Sequence, residues 1–161
     1  MPKHPLLMLA VSALALTACN PFHRESAVEV SAKDVNLNTR WHATLASPAD
    51  LAGAVQMNGT ATMAPGAKGD NTEVVLVLAN ATPGGVHPWQ LHLGQCGADE
   101  GIFGAADEYQ PVTVDRSGRA LATATVPLQT PTTGRYFVIV HASAANAAMT
   151  VACGNLAPPT Q

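Results

Sequence analysis

Charge and aromatic surface are what this sequence has least of. Charged residues make up 12% of the chain and aromatic residues 4%. Lysine and arginine together number 8, and they form no basic patch. Nucleic acid is therefore not an expected partner. With so few aromatics, a core must be filled by Val, Leu, Ala and Thr, a composition that suits strands better than helices. The apolar run Leu6 to Leu16 is too short to span a bilayer as a stable helix. No internal repeat is visible. The one helix candidate, Ala142 to Ala148, is short and sits between strand signals.

What is there begins with an address. Lys3 and His4 form a basic start, the apolar run follows, and small residues come next, as in a secretory signal. The ending L-T-A-C, Leu16 to Cys19, resembles the bacterial lipobox. That resemblance implies cleavage before Cys19, transfer of diacylglycerol to its thiol and acylation of the new amino terminus. Two or more acyl chains anchor a protein stably at a membrane. Asn20 is not Asp, which by the usual lipoprotein sorting pattern directs the chain to the outer membrane, facing the periplasm. The expected organisation is a signal peptide over 1–18, a membrane tether over 19–39 and one domain over 40–161.

The chain has 3 cysteines. With Cys19 taken by lipid, Cys96 and Cys153 remain, and an even pair in an exported protein reads as one disulfide. The alternative is a pair of free buried thiols.

Strand signals recur along the domain. Within the tether, one early strand is expected around Ala27 to Val30. Arg40 to Ala46 alternates, with Trp41, Ala43 and Leu45 on one side and His42 and Thr44 on the other. S-P-A-D at Ser47 to Asp50 is turn chemistry. Leu51 to Met63 reads as a second strand with weak faces. Thr72 to Asn80, T-E-V-V-L-V-L-A-N, is apolar on both faces and should be a central, covered strand. In the stretch from Val86 to Gly97, Trp89, Leu91 and Leu93 share one face, and Gln90 and His92 the other. Cys96 to Gln110 reads as a loop with four acidic residues, Asp99, Glu100, Asp107 and Glu108. Pro111 to Pro127 reads as a hairpin turning at D-R-S-G. Arg135 to His141 and Met149 to Cys153 complete the set, followed by an extended tail. Seven or eight short strands separated by turns predict an all-β Greek-key sandwich or barrel of antiparallel strands.

The order T-P-G-G-V-H-P-W-Q-L-H, a following cysteine, D-R-S-G-R-A, G-R-Y-F-V-I-V-H and V-A-C-G-N-L resembles the copper/zinc superoxide dismutase family. The resemblance covers about Trp41 to Leu156 and is most specific at A-C-G and at the H-x(4)-H spacing. It implies that His92 and His141 stand where copper-ligating histidines stand, and that Gln90 occupies the position of a third copper ligand. His87 matches a structural histidine that braces a loop. Cys96 and Cys153 match the family disulfide. Thr150 lies where the family carries an arginine that guides superoxide to copper. The loop after Cys96 is short and has no histidine, so no zinc site of the family type is expected. Structural zinc prefers four nitrogen or sulfur ligands, which four carboxylates do not supply.

No residue is therefore assigned a catalytic role. Imidazole suits copper, but two imidazoles without a third donor bind it weakly. Gln90 could offer a hard amide oxygen, and Met149, close to His141 in sequence, a soft thioether whose plainer role is core packing. The expected function is a dismutase-like envelope lipoprotein that lacks turnover, with weak copper binding as its residual chemistry. The alternative is a copper-only dismutase acting on superoxide in the periplasm. Dimers are common in the family, which adds a homodimer to the expected assemblies. No protein partner is indicated.

Overall fold

A computed structural model describes residues 39–51 and 53–160. The signal run, Cys19, the tether and the expected strand at Ala27 to Val30 lie outside the described residues. All described residues belong to one compact unit, Lys33–Gln161. Among them there is no α-helix and no helix long and apolar enough to cross a membrane.

The strands are β1 (Trp41–Ala46), β2 (Asn58–Pro65), β3 (Thr72–Ala79), β4 (Val86–His87), β5 (Trp89–Gln95), β6 (Ala98–Ile102), β7 (Val112–Thr113), β8 (Ala120–Val126), β9 (Tyr136–Ser143) and β10 (Asn146–Asn155). Eight of them form one curled antiparallel sheet in the order β6-β5-β9-β10-β1-β2-β3-β8, and β4 and β7 pair as a second, small sheet. The chain leaves β5–β6, crosses to β8 beside β3, then returns to lay β9 between β5 and β10. Those crossings make the predicted Greek-key sandwich.

Alternation sets which side chains fill the interior. Trp41, Ala43 and Leu45 of β1, Val74, Leu76 and Leu78 of β3, Trp89 and Leu91 of β5, and Val138 and Val140 of β9 are buried in one core. Their strand neighbours at odd offsets point outward. Val75 and Val77, on the outer face of β3, are half-buried. The prediction of a strand covered on both faces therefore holds for the inner face alone. Two of the few aromatics, Phe103 and Tyr109, lie in the loop that closes over the core after β6. Trp89 packs edge-on against Tyr109 with ring centroids 5.4 Å apart, and its indole N–H donates to the Gln110 carbonyl at 2.9 Å. The Tyr109 hydroxyl donates to the Phe103 carbonyl at 2.6 Å, which ties the loop after β6 to itself.

Several segments differ from their sequence-based expectation. Ala98–Ile102, expected as loop, is strand β6, paired antiparallel to β5. Its residues are exposed up to Gly101 and include two acids, Asp99 and Glu100, so no apolar period announces it. Leu51 to Met63 is not one strand. A 3-10 turn covers Ala49–Leu51, and pairing with β1 begins only at Asn58. The hairpin expected over Pro111 to Pro127 keeps its turn, where Asp115 accepts from the backbone N–H groups of Ser117 and Arg119. Its arms part company, however: β7 pairs with β4, and β8 pairs with β3. Ala142 to Ala148 holds the tight turn between β9 and β10, and β10 is twice the length expected.

Candidate functional site

Of the residues singled out by sequence, Gln90, His92, His141 and Thr150 come together on β5, β9 and β10. Trp89 opposes Val140 and Leu91 opposes Val138, and these four point into the core. Gln90 opposite Ile139 and His92 opposite Phe137 must then face outward. His141 shares the outward parity of Phe137 and Ile139, and its backbone N–H donates to the Pro88 carbonyl at 2.8 Å. Gln90 thus stands between the two histidines along the strand pair. From β10, Cys153 opposes Ile139 and Thr150 opposes His141, between two irregularities of register. Such bulges re-aim side chains locally.

An outward His92 should be exposed, yet it is buried, with 6% of its surface accessible. The β5–β6 hairpin covers it. The hairpin needs Gly94, which has φ +98 and no room for a Cβ against the Ala98 carbonyl. The turn brings Asp99 back over His92, whose Nδ1 lies 2.7 Å from Asp99 Oδ1. The hydrogen bond from His92, followed by one from the Gly101 backbone N–H, holds the Asp99 carboxyl below its ordinary value of 3.8. Asp99 is thus an ionised acceptor, and the proton of the bond sits on His92 Nδ1.

The other ring nitrogen, Nε2, lies 3.2 Å from the amide of Gln90. That contact is a hydrogen bond in two ways: an imidazolium donates to Oε1, or the amide in its other orientation donates to the neutral ring. Either way both nitrogens of His92 are engaged by protein groups. The ring also packs on Phe137 with centroids 5.3 Å apart.

His141 differs. Its Nδ1 is buried and has no hydrogen-bond partner. Burial, and then the nearby His92, lower its pKa from 6.5, so the ring is neutral at pH 7. A neutral, partner-free nitrogen is a competent donor to a metal.

His87 does not join this group. It is buried, and its Nδ1 donates to the His141 carbonyl at 3.0 Å. It thereby braces the β4 segment against β9. Met149 lies with His87 on the wall of a separate cavity. Cys96 and Cys153 form a disulfide with a Cα–Cα distance of 6.1 Å, fastening the β5–β6 turn to β10. The Cys96 backbone N–H also donates to Asn155 Oδ1 at 2.8 Å.

Among the described residues, no group of three or more His, Cys, Asp or Glu side chains converges on a point that could hold a metal ion. The donor set does not fit a copper centre of the dismutase type. One ring is engaged on both sides, one nitrogen is free, and an amide stands where a third imidazole is required. Asp99 is the site residue that sequence reasoning missed, since it falls in the segment expected as an acidic loop. The available signal was the spacing of Gly94 and Gly97, which permits a tight reversal and returns the acid to His92. No protein-family model matches the chain, and no curated protein matches it.

Proposed function

We propose that this chain is a superoxide dismutase-like lipoprotein of the bacterial envelope that does not turn over superoxide. Lipid on Cys19 would hold it at the outer membrane, facing the periplasm. What supports the loss of turnover is the Asp99–His92–Gln90 chain of contacts, at 2.7 Å and 3.2 Å. A redox centre needs a metal held by several donors through both oxidation states. Here the side chains that would be ligands hold one another. No guanidinium stands at Thr150 to draw in an anion, and steering of that kind supplies much of the rate of such an enzyme.

A second function, weak copper binding without turnover, is favoured by one observation: the buried, partner-free Nδ1 of His141. Gln90 would have to turn away for His92 to contribute as well. The test is metal analysis of the full chain after copper loading, followed by a superoxide-decay assay. The expected result is less than one equivalent of copper and decay no faster than in buffer. Stoichiometric copper with rapid decay would instead make the protein a copper-only dismutase.

A further inference from the structure

The eight-stranded sheet ends in β6 on one side and in β8 on the other. The two edges differ in kind. β6 has five residues, two of them the acids Asp99 and Glu100, and within it Gly101 takes φ 115. Its register against β5 is also irregular. Charge, a glycine kink and a broken ladder keep an exposed edge from pairing with another chain.

Strand β8 has none of these protections. It runs seven residues, A-L-A-T-A-T-V, with no charge, glycine or proline. Its ladder to β3 is continuous, from Thr72 opposite Val126 to Leu78 opposite Ala120. Among the described residues, the one backbone hydrogen bond it makes outside that ladder is accepted by the Val126 carbonyl from the Leu128 N–H. Along the rest of its free side, the N–H and C=O groups of alternate residues have no protein partner. Leu121, Thr123 and Thr125 on its outer face are exposed, Leu121 to 69%.

The inner face carries a second sign. Ala120, Ala124 and Val126 are buried, and Gly104 reaches the Val126 side chain from the core side. Ala122 faces the same way, opposite the fully buried Leu76, yet it is only half-buried. The middle of this edge is open where its ends are covered. A strand laid alongside would cover Ala122 and pair the free backbone groups.

We propose that β8 is the contact by which two copies of this chain pair, edge to edge and antiparallel about a twofold axis, so that the sheet runs on from one copy into the next. Full overlap sets Thr123 opposite Thr123 of the second copy, Ala122 opposite Ala124, and Leu121 opposite Thr125. Each opposed pair is neutral, whereas two copies meeting at β6 would oppose like charges. Two identical neutral edges therefore complement one another. Because β6 is protected, each chain offers one open edge, and the pairing is isologous and stops at two copies. A single strand pair is a small interface, so the dimer is weak and depends on concentration. The proposal rests neither on the lipid anchor nor on the chemistry of His92 and His141.

The test is sedimentation of the full chain over a range of concentrations, with amide hydrogen exchange of β8 read at both ends of the range. The expected result is a shift from one copy to two, with slower exchange at alternate amides of β8 in the dimer. Thr123 is exposed, so Thr123→Lys keeps the fold, and it should hold the chain monomeric by opposing two positive charges. Thr123→Glu should do the same alone, and an equimolar mixture of the two variants should dimerise again. A native chain that stays monomeric throughout overturns the proposal. So does a dimer that survives Thr123→Lys, a dimer whose β8 amides exchange no more slowly, a mixture of the variants that stays monomeric, or growth beyond two copies.

Discussion

Replacing both Cys96 and Cys153 by Ala should cost about 4 kcal/mol of stability. The disulfide closes a loop over a sequence separation of 57. In the chain-entropy description, opening a loop of that length returns about 14 cal/mol/K to the unfolded chain, or roughly 4 kcal/mol at 25 °C. The half-buried sulfurs add little to this by area. For a unit the size of Lys33–Gln161, each kcal/mol moves Tm by about 4 °C, so the melt should fall by about 15 °C. The structure adds a local consequence. The bond fastens the turn that carries Asp99, three residues beyond Cys96, so its loss should also loosen the cover on His92. The assay is thermal unfolding of native and variant protein under oxidising conditions, repeated on the native protein with reductant. The reduced native protein and the variant should melt together. A drop of less than about 5 °C, or exchange of the amides of β6 no faster than before, would refute the reasoning.

Two further outcomes follow from the site. Asp99 titrates below its ordinary value in the folded chain, so its stabilising effect is present above pH 3.8 and is lost as pH falls through the folded value. Its side chain is 53% exposed, so Asp99→Asn should lower stability at pH 7 by less than about 1 kcal/mol and flatten the acid limb of the stability profile; an unchanged acid limb in urea unfolding would count against the His92–Asp99 bond. A Cβ at Gly85 would lie 2.7 Å from His87 Nε2 and 3.0 Å from the Thr82 carbonyl; Gly85→Ala should therefore displace the His87 ring and cost about 1–3 kcal/mol by urea unfolding, and a neutral substitution would show that His87 is not held where described.

The sequence alone determined the fold class. Alternation is a local property: Trp41, Ala43 and Leu45, or Trp89 and Leu91, declare a buried face before any partner strand is known. Cysteine arithmetic likewise reached Cys96 and Cys153, once the lipobox resemblance set Cys19 aside. Which strands pair was not legible, since main-chain hydrogen bonds carry no side-chain signature. The arms around Asp115 look like a hairpin in sequence and join different sheets in space. Strand β6 escaped because an edge strand with exposed acidic side chains has no apolar period to read. The chemistry of the site was decided only by tertiary structure. The sequence places a glutamine among histidines. The fold determines that this glutamine and an acid from the next strand occupy both nitrogens of His92, while Nδ1 of His141 and Nε2 of His87 are left without a partner. Hydrogen-bond partners are set by which backbone segments are brought within about 3 Å, and no spacing along the chain encodes that distance.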